Sequence, residues 1–218
     1  MKTSIIVLYS LSIFVLLAAV SNQALAQNKA DTLKEAAMMK QYIEMSKTNE
    51  NHKILGELNG EWTFIGKHVF SGVIKRSYEF SGKIVRKAVL EGRYFITETT
   101  GGTKMKLPWS QGKLLPYQDM YLEGYDNVKK KFFSSNINNE SNTGIITLEG
   151  TYNPATKIIT YEGESVSHFH RDIVPGTMMK FLVLLKFIDN DHFTLEQRES
   201  IDGKEIVTTE LKYTRIKN

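Results

Sequence analysis

The histidines His168 and His170 are the first residues in this sequence whose type and spacing could do chemistry. In an extended segment, residues two apart point to the same face, so the two imidazoles would lie about 7 Å apart by strand rise. Two histidines and a carboxylate can bind zinc, iron or copper. The nearby Asp172 does not complete a known metal-binding spacing, and no other third ligand is identifiable. The pair is therefore a candidate metal site, but the favoured interpretation is an exposed pair at a loop or strand end. We predict no cofactor.

The carboxylates Glu149 and Glu162, each followed by a glycine, form a second candidate. If the turn at 153–156 closes a regular hairpin, the two glutamates lie on neighbouring strands. Close and partly buried carboxylates raise one another's pKa and could serve as acid and base. A solvated outer face with lysine or arginine partners is the favoured alternative. No nucleophile is identifiable, so catalysis is the less favoured interpretation.

A third set of residues could line a cavity for a small molecule. Alternation along the predicted strands gives interior candidates: Phe95, Tyr121, Phe132, Leu148, Tyr161, Phe181 and Leu195. An ion pair of Arg198 with Glu196 or Glu123 could orient a polar ligand or be structural. The residues predicted to bind a ligand are Phe95, Trp109, Tyr121, Phe132, Tyr161 and Arg198.

The elements that would position these residues are predicted to be antiparallel strands. Segments of alternating, β-branched and aromatic character run at 61–70, 73–81, 83–90, 92–100, 117–125, 129–137, 143–152, 157–165, 177–189, 192–200 and 205–216. A turn signal after every 8 to 12 residues or so is typical of a sandwich or barrel. Closing the sheet removes the exposed edges that invite aggregation. The predicted fold class is all-β, an antiparallel up-and-down barrel of about 8 to 11 strands with an N-terminal helix.

The motif Gly60-Glu61-Trp62 and the distant Arg215 mark the two ends of this predicted sheet. In this position they resemble the barrel-closing motif of lipocalins and their calycin relatives. The resemblance implies that Trp62 plugs the narrow end of a barrel and that the guanidinium of Arg215 lies over its indole. A cation over a tryptophan ring stabilises by roughly 0.5 to 2 kcal/mol.

A set of short motifs from His52 to Arg215 also resembles a bacterial family classed as a domain of unknown function. The matching residues are His52, Leu55, Gly60-Glu61-Trp62, Gly92-Arg93, Gly124-Tyr125-Asp126-Asn127, Thr143-Gly144, Glu149-Gly150-Thr151-Tyr152, Asp202-Gly203-Lys204-Glu205 and Tyr213-Thr214-Arg215. The resemblance supports the barrel and implies no activity. The chain departs from the family where Ser165–His168 replace an Asp-Pro and where Asn136 stands near a usual tryptophan.

The N-terminus carries a localisation signal. Lys2 provides a basic start, 4–20 is an apolar run, and Ala24-Leu25-Ala26 fits the small-residue cleavage rule. We expect a signal peptide at 1–26, with an uncleaved anchor as the alternative, then an N-terminal helix and linker at 27–50 and a barrel domain at 51–218. The expected location is periplasmic or extracellular. The sequence has no cysteine, which excludes disulfides, thiolate catalysis and a lipidated-cysteine anchor.

Charge excludes two further classes of protein. The formal net charge of +4 is too small to indicate nucleic-acid binding, and the densest basic run, Lys129-Lys130-Lys131, is typical of a solvated strand start. An outer-membrane barrel needs an apolar residue at nearly every second position of each strand. In this sequence, charged side chains occupy both the odd and the even positions of a predicted strand, as at Lys75 and Arg76, so neither face is continuously apolar. We therefore predict no stable membrane insertion after cleavage.

The longest segment without strand character is Gly101–Pro116, and it contains Trp109. Loops of this length are often lids or binding loops, so Trp109 is either a packed anchor or part of a ligand-facing rim. We predict an exported barrel that binds a small, partly apolar ligand. The alternatives are a barrel enzyme that uses carboxylates or histidines, and an envelope interaction module with a filled barrel. The sequence makes no prediction of oligomeric state.

Overall fold

The structure is a computed structural model that describes residues 27–70, 76–100, 102–106, 110–139, 144–166, 174, 176–201 and 203–217. Predictions on His168, His170 and Trp109 fall outside these residues. The chain divides between Lys47 and Thr48 into two compact units. In the first unit, 27–46 form a helix, α1. Among the helices of the described residues, none has the length and apolarity needed to cross a membrane.

The second unit begins with a short helix, α2 (Glu50–Gly56), and continues as twelve described strands. The strands are β1 (Gly60–Phe70), β2 (Arg76–Val89), β3 (Tyr94–Thr100), β4 (Lys104–Lys106), β5 (Leu114–Pro116), β6 (Asp119–Asp126), β7 (Lys131–Asn138), β8 (Ile146–Asn153), β9 (Ile158–Val166), β10 (Met178–Asp189), β11 (His192–Ile201) and β12 (Lys204–Arg215). Ten of them close into one barrel in the order β1-β12-β11-β10-β9-β8-β7-β6-β3-β2. Neighbouring strands are antiparallel throughout, so the predicted up-and-down barrel is confirmed.

Two predicted element boundaries were wrong. Segments 73–81 and 83–90 were predicted as separate strands, but β2 runs through Ser81 and Gly82 without a turn. Gly82 pairs with Phe64 of β1 in an unbroken register, so pairing along β1 overrides the local turn signal. The segment Gly101–Pro116 was predicted without strands, yet β4 and β5 pair within it. Strands of three residues are too short to show an alternating pattern.

The helix α2 lies at one end of the barrel, which we call the closed end. Asn49 caps this helix by accepting from the backbone of Asn51, and His52 completes a capping box. Leu55 packs into the hydrophobic core with 0% exposure, and Leu58 follows at 2%. The connections 127–130, 154–157 and 190–191 at this end are short turns. The closed end is therefore sealed by apolar packing, and the strands lead away from it to the opposite end of the barrel.

Candidate ligand cavity

The barrel interior contains a cavity. Its main lobe has a volume of about 180 Å³, and a second lobe of about 110 Å³ adjoins it. The two lobes share wall residues, among them His68, Ile84 and Tyr121. An engineered cavity of about 150 Å³ holds a benzene molecule, so the interior has room for a small ligand.

The wall of the main lobe combines an apolar part with discrete polar groups. Its apolar side chains include Leu58, Ile84, Leu148, Phe181, Val183, Leu185, Phe193 and Leu195. Residues at alternate positions of one strand face the same side of a sheet, which explains why positions 181, 183 and 185 of β10 all line it. Apolar side chains beside convergent polar groups are the usual components of small-molecule sites, and this wall has a larger polar share than most such sites.

The deepest polar group in the cavity is a buried ion pair. Arg86 of β2 and Glu123 of β6 are each 5% exposed, and Nη1 of Arg86 donates to the Glu123 carboxylate. The same nitrogen donates to Oγ1 of Thr97 at 3.0 Å, and the guanidinium carbon lies 5.2 Å from the centroid of the Phe95 ring. Burial lowers the pKa of Arg86 to about 10, so the side chain stays charged at neutral pH. Breaking such a pair leaves a buried charge and costs about 3 to 5 kcal/mol.

Three buried donor atoms around this ion pair have no hydrogen-bond partner among the described residues. They are Nε and Nη2 of Arg86 and the phenolic oxygen of Tyr161. Both residues line the cavity. An unpaired buried donor costs about 1 to 3 kcal/mol. Water in a polar cavity of this size can satisfy such donors, and so can the acceptor group of a ligand.

A glycine on the neighbouring strand positions Tyr161. Gly150 of β8 pairs with Tyr161 of β9, and a Cβ at Gly150 would lie 2.7 Å from Cδ1 of the tyrosine ring. The ring therefore lies against bare backbone. Burial raises the pKa of the Tyr161 phenol well above its usual range, so its hydroxyl keeps its proton and remains a donor.

A second polar group lies nearer the other end of the strands. Asp119 is hydrogen-bonded to the hydroxyl groups of Thr99, Tyr117 and Tyr121, and burial raises its pKa. His68 of β1 is hydrogen-bonded to Oγ1 of Thr209 at 2.8 Å, and burial lowers the pKa of this imidazole. These groups surround the second lobe. The cavity therefore has one polar group at the ion pair of Arg86 and Glu123 and another around Asp119 and His68.

The structure brings only part of the predicted ligand-binding set to the cavity. Tyr121 and Tyr161 line it, together with the interior candidates Leu148, Phe181 and Leu195. Phe95 and Phe132 are instead buried in the core with 0% and 2% exposure. Each is the second residue of its strand from the closed end, and Phe95 packs against Gly56 of α2. They therefore form part of the core beneath the cavity.

The predicted arginine is not in the wall of the cavity. Arg198 pairs with Glu196 at 2.5 Å and with Glu205 at 3.0 Å. It lies an odd number of residues from Leu195 on β11, so alternation places the two side chains on opposite faces of the strand. Glu123, considered as a partner of Arg198, pairs with Arg86 instead.

Sequence reasoning missed Arg86, although a signal for it exists. Arg86 follows Ile84 by two residues, and Ile84 is a buried wall residue of the same cavity. Within Lys83-Ile84-Val85-Arg86, alternation alone places Arg86 on the face of Ile84. The basic composition of this strand hid the signal, because a charged residue is usually assigned to the solvent side.

The carboxylates Glu149 and Glu162 are directly opposite one another on β8 and β9, as the hairpin predicted. Both are exposed, and Glu149 pairs with Nζ of Lys129 at 2.5 Å. This arrangement matches the solvated outer face. Among the described residues there is also no cluster of three metal-binding side chains, and the pair His168 and His170 lies outside them.

The contact expected at the closed end is present. The Arg215 guanidinium carbon lies 4.0 Å from the centroid of the Trp62 ring. Nη1 of Arg215 donates to the carbonyl of Asn59 at 2.5 Å, and Nη2 donates to that of Glu57 at 2.7 Å. Gly60 has a φ of +122°, and a Cβ there would lie 2.9 Å from Nη1 of Arg215. The arginine thus joins the last strand to the residues that follow α2.

Fold and cavity together define a closed, ten-stranded antiparallel barrel with a hollow and partly polar interior. The chain belongs to the family described as protein of unknown function DUF1579, whose model matches residues 47–215. No curated protein shows significant sequence similarity to it.

Solved structures match this chain at low sequence identity. The crystal structure of Rv2717c from M. tuberculosis matches with 14% identity and a TM-score of 0.50, over 78% of this chain and 100% of that one. The S-type phycobiliprotein lyase CPES from Guillardia theta matches with 10% identity and a TM-score of 0.42, over 81% of this chain and 97% of that one. Neither likeness assigns a function to this chain.

Proposed function

We propose that this protein binds a small, partly apolar molecule inside its barrel. The observation that carries the proposal is the cavity of about 180 Å³, whose wall combines apolar side chains with polar groups, among them a buried ion pair with unpaired donors. This combination suits a ligand with an apolar body and a polar end. The cavity disfavours the alternative of an interaction module, which required a barrel filled by its own side chains.

A barrel enzyme is the second candidate, and one observation favours it. His68 and Glu199 both line the main lobe. Burial lowers the pKa of the histidine, and the negative charge of the glutamate opposes this by raising it. A neutral, half-buried imidazole beside a carboxylate could act as a general base. Binding is the better supported function. The buried donors that lack a partner, and that a ligand could therefore satisfy, belong to Arg86 and Tyr161, whereas His68 is already hydrogen-bonded to Thr209.

Titration with an environment-sensitive hydrophobic probe tests the proposed function. We expect saturable binding of one probe per chain, measured by fluorescence and by calorimetry. The variant Leu195→Trp places an indole in the cavity wall and should weaken binding, because it occupies volume that the probe needs. The matched control Lys212→Trp adds the same group to an exposed position of the neighbouring strand and should bind normally.

Two outcomes would count against the binding function. Probe binding that does not saturate would show only non-specific adsorption. Equal affinities of the two tryptophan variants, with thermal melts like that of the parent, would place the probe outside the cavity.

A further inference from the structure

Arg86 lines the cavity, and one buried edge of its guanidinium has no partner among the described residues. Nη1 is committed to Glu123 and Thr97, whereas Nε and Nη2 are not hydrogen-bonded. These two nitrogens lie along the same edge of the planar guanidinium, and the N–H bonds on that edge are parallel. Together with the hydroxyl of Tyr161, which also has no hydrogen-bond partner among the described residues, they form a set of unpaired donors on two residues of the cavity wall.

We propose that the ligand of this barrel carries a carboxylate, which the Nε and Nη2 edge of Arg86 and the hydroxyl of Tyr161 bind at the inner end of the cavity. The inference rests on the proposed function, since it names the chemical class of the molecule bound there.

The chemistry of the unpaired atoms selects an acceptor. Arginine carries donors only, and a protonated tyrosine hydroxyl can donate one hydrogen bond. The parallel N–H bonds of the guanidinium edge match the two oxygens of a carboxylate in a bidentate pair. A primary amide of the same shape would offer one oxygen and direct its own N–H group at a donor of Arg86. An alcohol would offer a single oxygen.

The distribution of charge selects the orientation of the ligand. Asp119 and Glu199 are acidic residues that line other parts of the cavity wall. Asp119 stands four residues before Glu123 on β6, about 13 Å away by strand rise. Glu123 already occupies Nη1 of Arg86, so a ligand carboxylate is favoured only at the Nε and Nη2 edge, where donors are unpaired. It is disfavoured near Asp119, which is already hydrogen-bonded to three hydroxyl groups. The apolar part of the ligand then lies along the aliphatic side chains of β10 and β11, such as Val183 and Leu195.

The volume of the cavity sets the size of the test compounds for this site. A cavity near 150 Å³ holds benzene, so a main lobe of about 180 Å³ with an adjoining lobe of about 110 Å³ holds a chain of roughly eight carbons. Octanoate, octanamide and octan-1-ol have equal chain lengths and differ in the head group alone. They form a matched set for competition against the fluorescent probe.

We expect octanoate to bind about tenfold or more tightly than octanamide or octan-1-ol at neutral pH, since hydrogen bonds between charged groups exceed neutral ones by such a factor. Tyr161→Phe removes one donor and no volume of the ring, so it should reduce the octanoate affinity several-fold and leave octan-1-ol unchanged. Arg86→Lys keeps the charge but loses the parallel edge, and it should abolish most of the preference for octanoate.

Two controls separate recognition from folding. Tyr152→Phe makes the same change at a tyrosine outside the cavity wall and should not alter the preference. Thermal melts report whether each variant folds, and if Arg86→Lys unfolds, Tyr161→Phe still decides the question.

The outcomes distinguish the two proposals. Equal affinities for the three compounds, with the fluorescent probe still bound in the cavity, would overturn the carboxylate site and leave the binding function standing. A preference for octanoate that survives both Arg86→Lys and Tyr161→Phe would also overturn it. Failure of the fluorescent probe and of all three compounds to bind would overturn the binding function itself.

Discussion

At the residue scale, three arginines of this chain have different roles, which their surroundings determine. Arg215 is held over Trp62 and donates to carbonyl groups at the closed end. Arg86 is buried in the cavity wall beside Glu123, and Arg198 makes partly exposed ion pairs. The first has its donors engaged in closing the barrel, the second keeps two donors unpaired, and the third contributes little stability because solvent screens it.

The contact between Trp62 and Arg215 should be measurable as a coupling energy. Trp62→Ala truncates a residue that is 1% exposed and should cost about 3 to 5 kcal/mol of unfolding free energy. Arg215→Ala should cost less, and the double variant should lose less than the sum of the two by about 0.5 to 2 kcal/mol. Denaturant unfolding of the four proteins gives the cycle.

Two results bear on the interpretation of this cycle. Strict additivity would show that the two side chains do not interact in solution. The control Arg215→Lys keeps a cation near the ring but loses donors to the carbonyls of Glu57 and Asn59, so it separates the ring contact from the hydrogen bonds.

At the element scale, the hairpin of β8 and β9 shows how a glycine in one strand makes room for a large side chain of the neighbouring strand. Gly150 faces Tyr161 across this hairpin, and Gly163 faces Leu148. A Cβ at Gly163 would lie 2.6 Å from Cδ2 of Leu148. Both glycines therefore allow a large side chain to lie flat against the sheet, and both of these side chains line the cavity.

The substitution Gly150→Ala tests this role. The new Cβ would meet Cδ1 of Tyr161 at 2.7 Å and the backbone oxygen of Thr160 at 2.9 Å, so it should destabilise the barrel by about 1 to 3 kcal/mol and displace the tyrosine ring. The control Gly144→Ala, just before β8, meets nothing within 4 Å and should change stability by no more than about 0.5 kcal/mol. Thermal unfolding compares the two, and equal losses would show that packing at Gly150 is unimportant.

At the scale of the whole molecule, we propose that the protein is exported. The support is the basic Lys2, the apolar run 4–20 and the small residues Ala24-Leu25-Ala26. When the full-length chain is produced in a bacterium, we expect the mature protein to begin at Gln27 and to be recovered in the periplasmic or extracellular fraction.

Intact-mass measurement and N-terminal sequencing of each cell fraction check this prediction. Ala26→Phe should block cleavage because the residue before the cleaved bond must be small, whereas Asn28→Ala lies beyond the bond and should be processed normally. Recovery of the parent chain with Met1 intact in the membrane fraction would contradict export of a cleaved form.

The sequence by itself determined the barrel and its closed end. Alternating strands and short turns are local patterns, and they predict an up-and-down sheet because consecutive strands pair with one another. The residues Trp62 and Arg215 are far apart in sequence, but each stands at the end of a terminal strand of the sheet, so closure brings them together. A boundary such as the one predicted near Gly82 failed where pairing with β1 outweighed a local turn signal.

Only the tertiary structure decided which residues form the candidate site. Alternation assigns a side chain to one of two faces, but it does not say at which level of the barrel the interior is packed or hollow. Phe95 and Phe132 face inward and belong to the core because α2 and the closed end fill that level. Arg86 meets Glu123 from two strands away, and this pairing follows from the closure and stagger of the whole sheet, which no local pattern encodes.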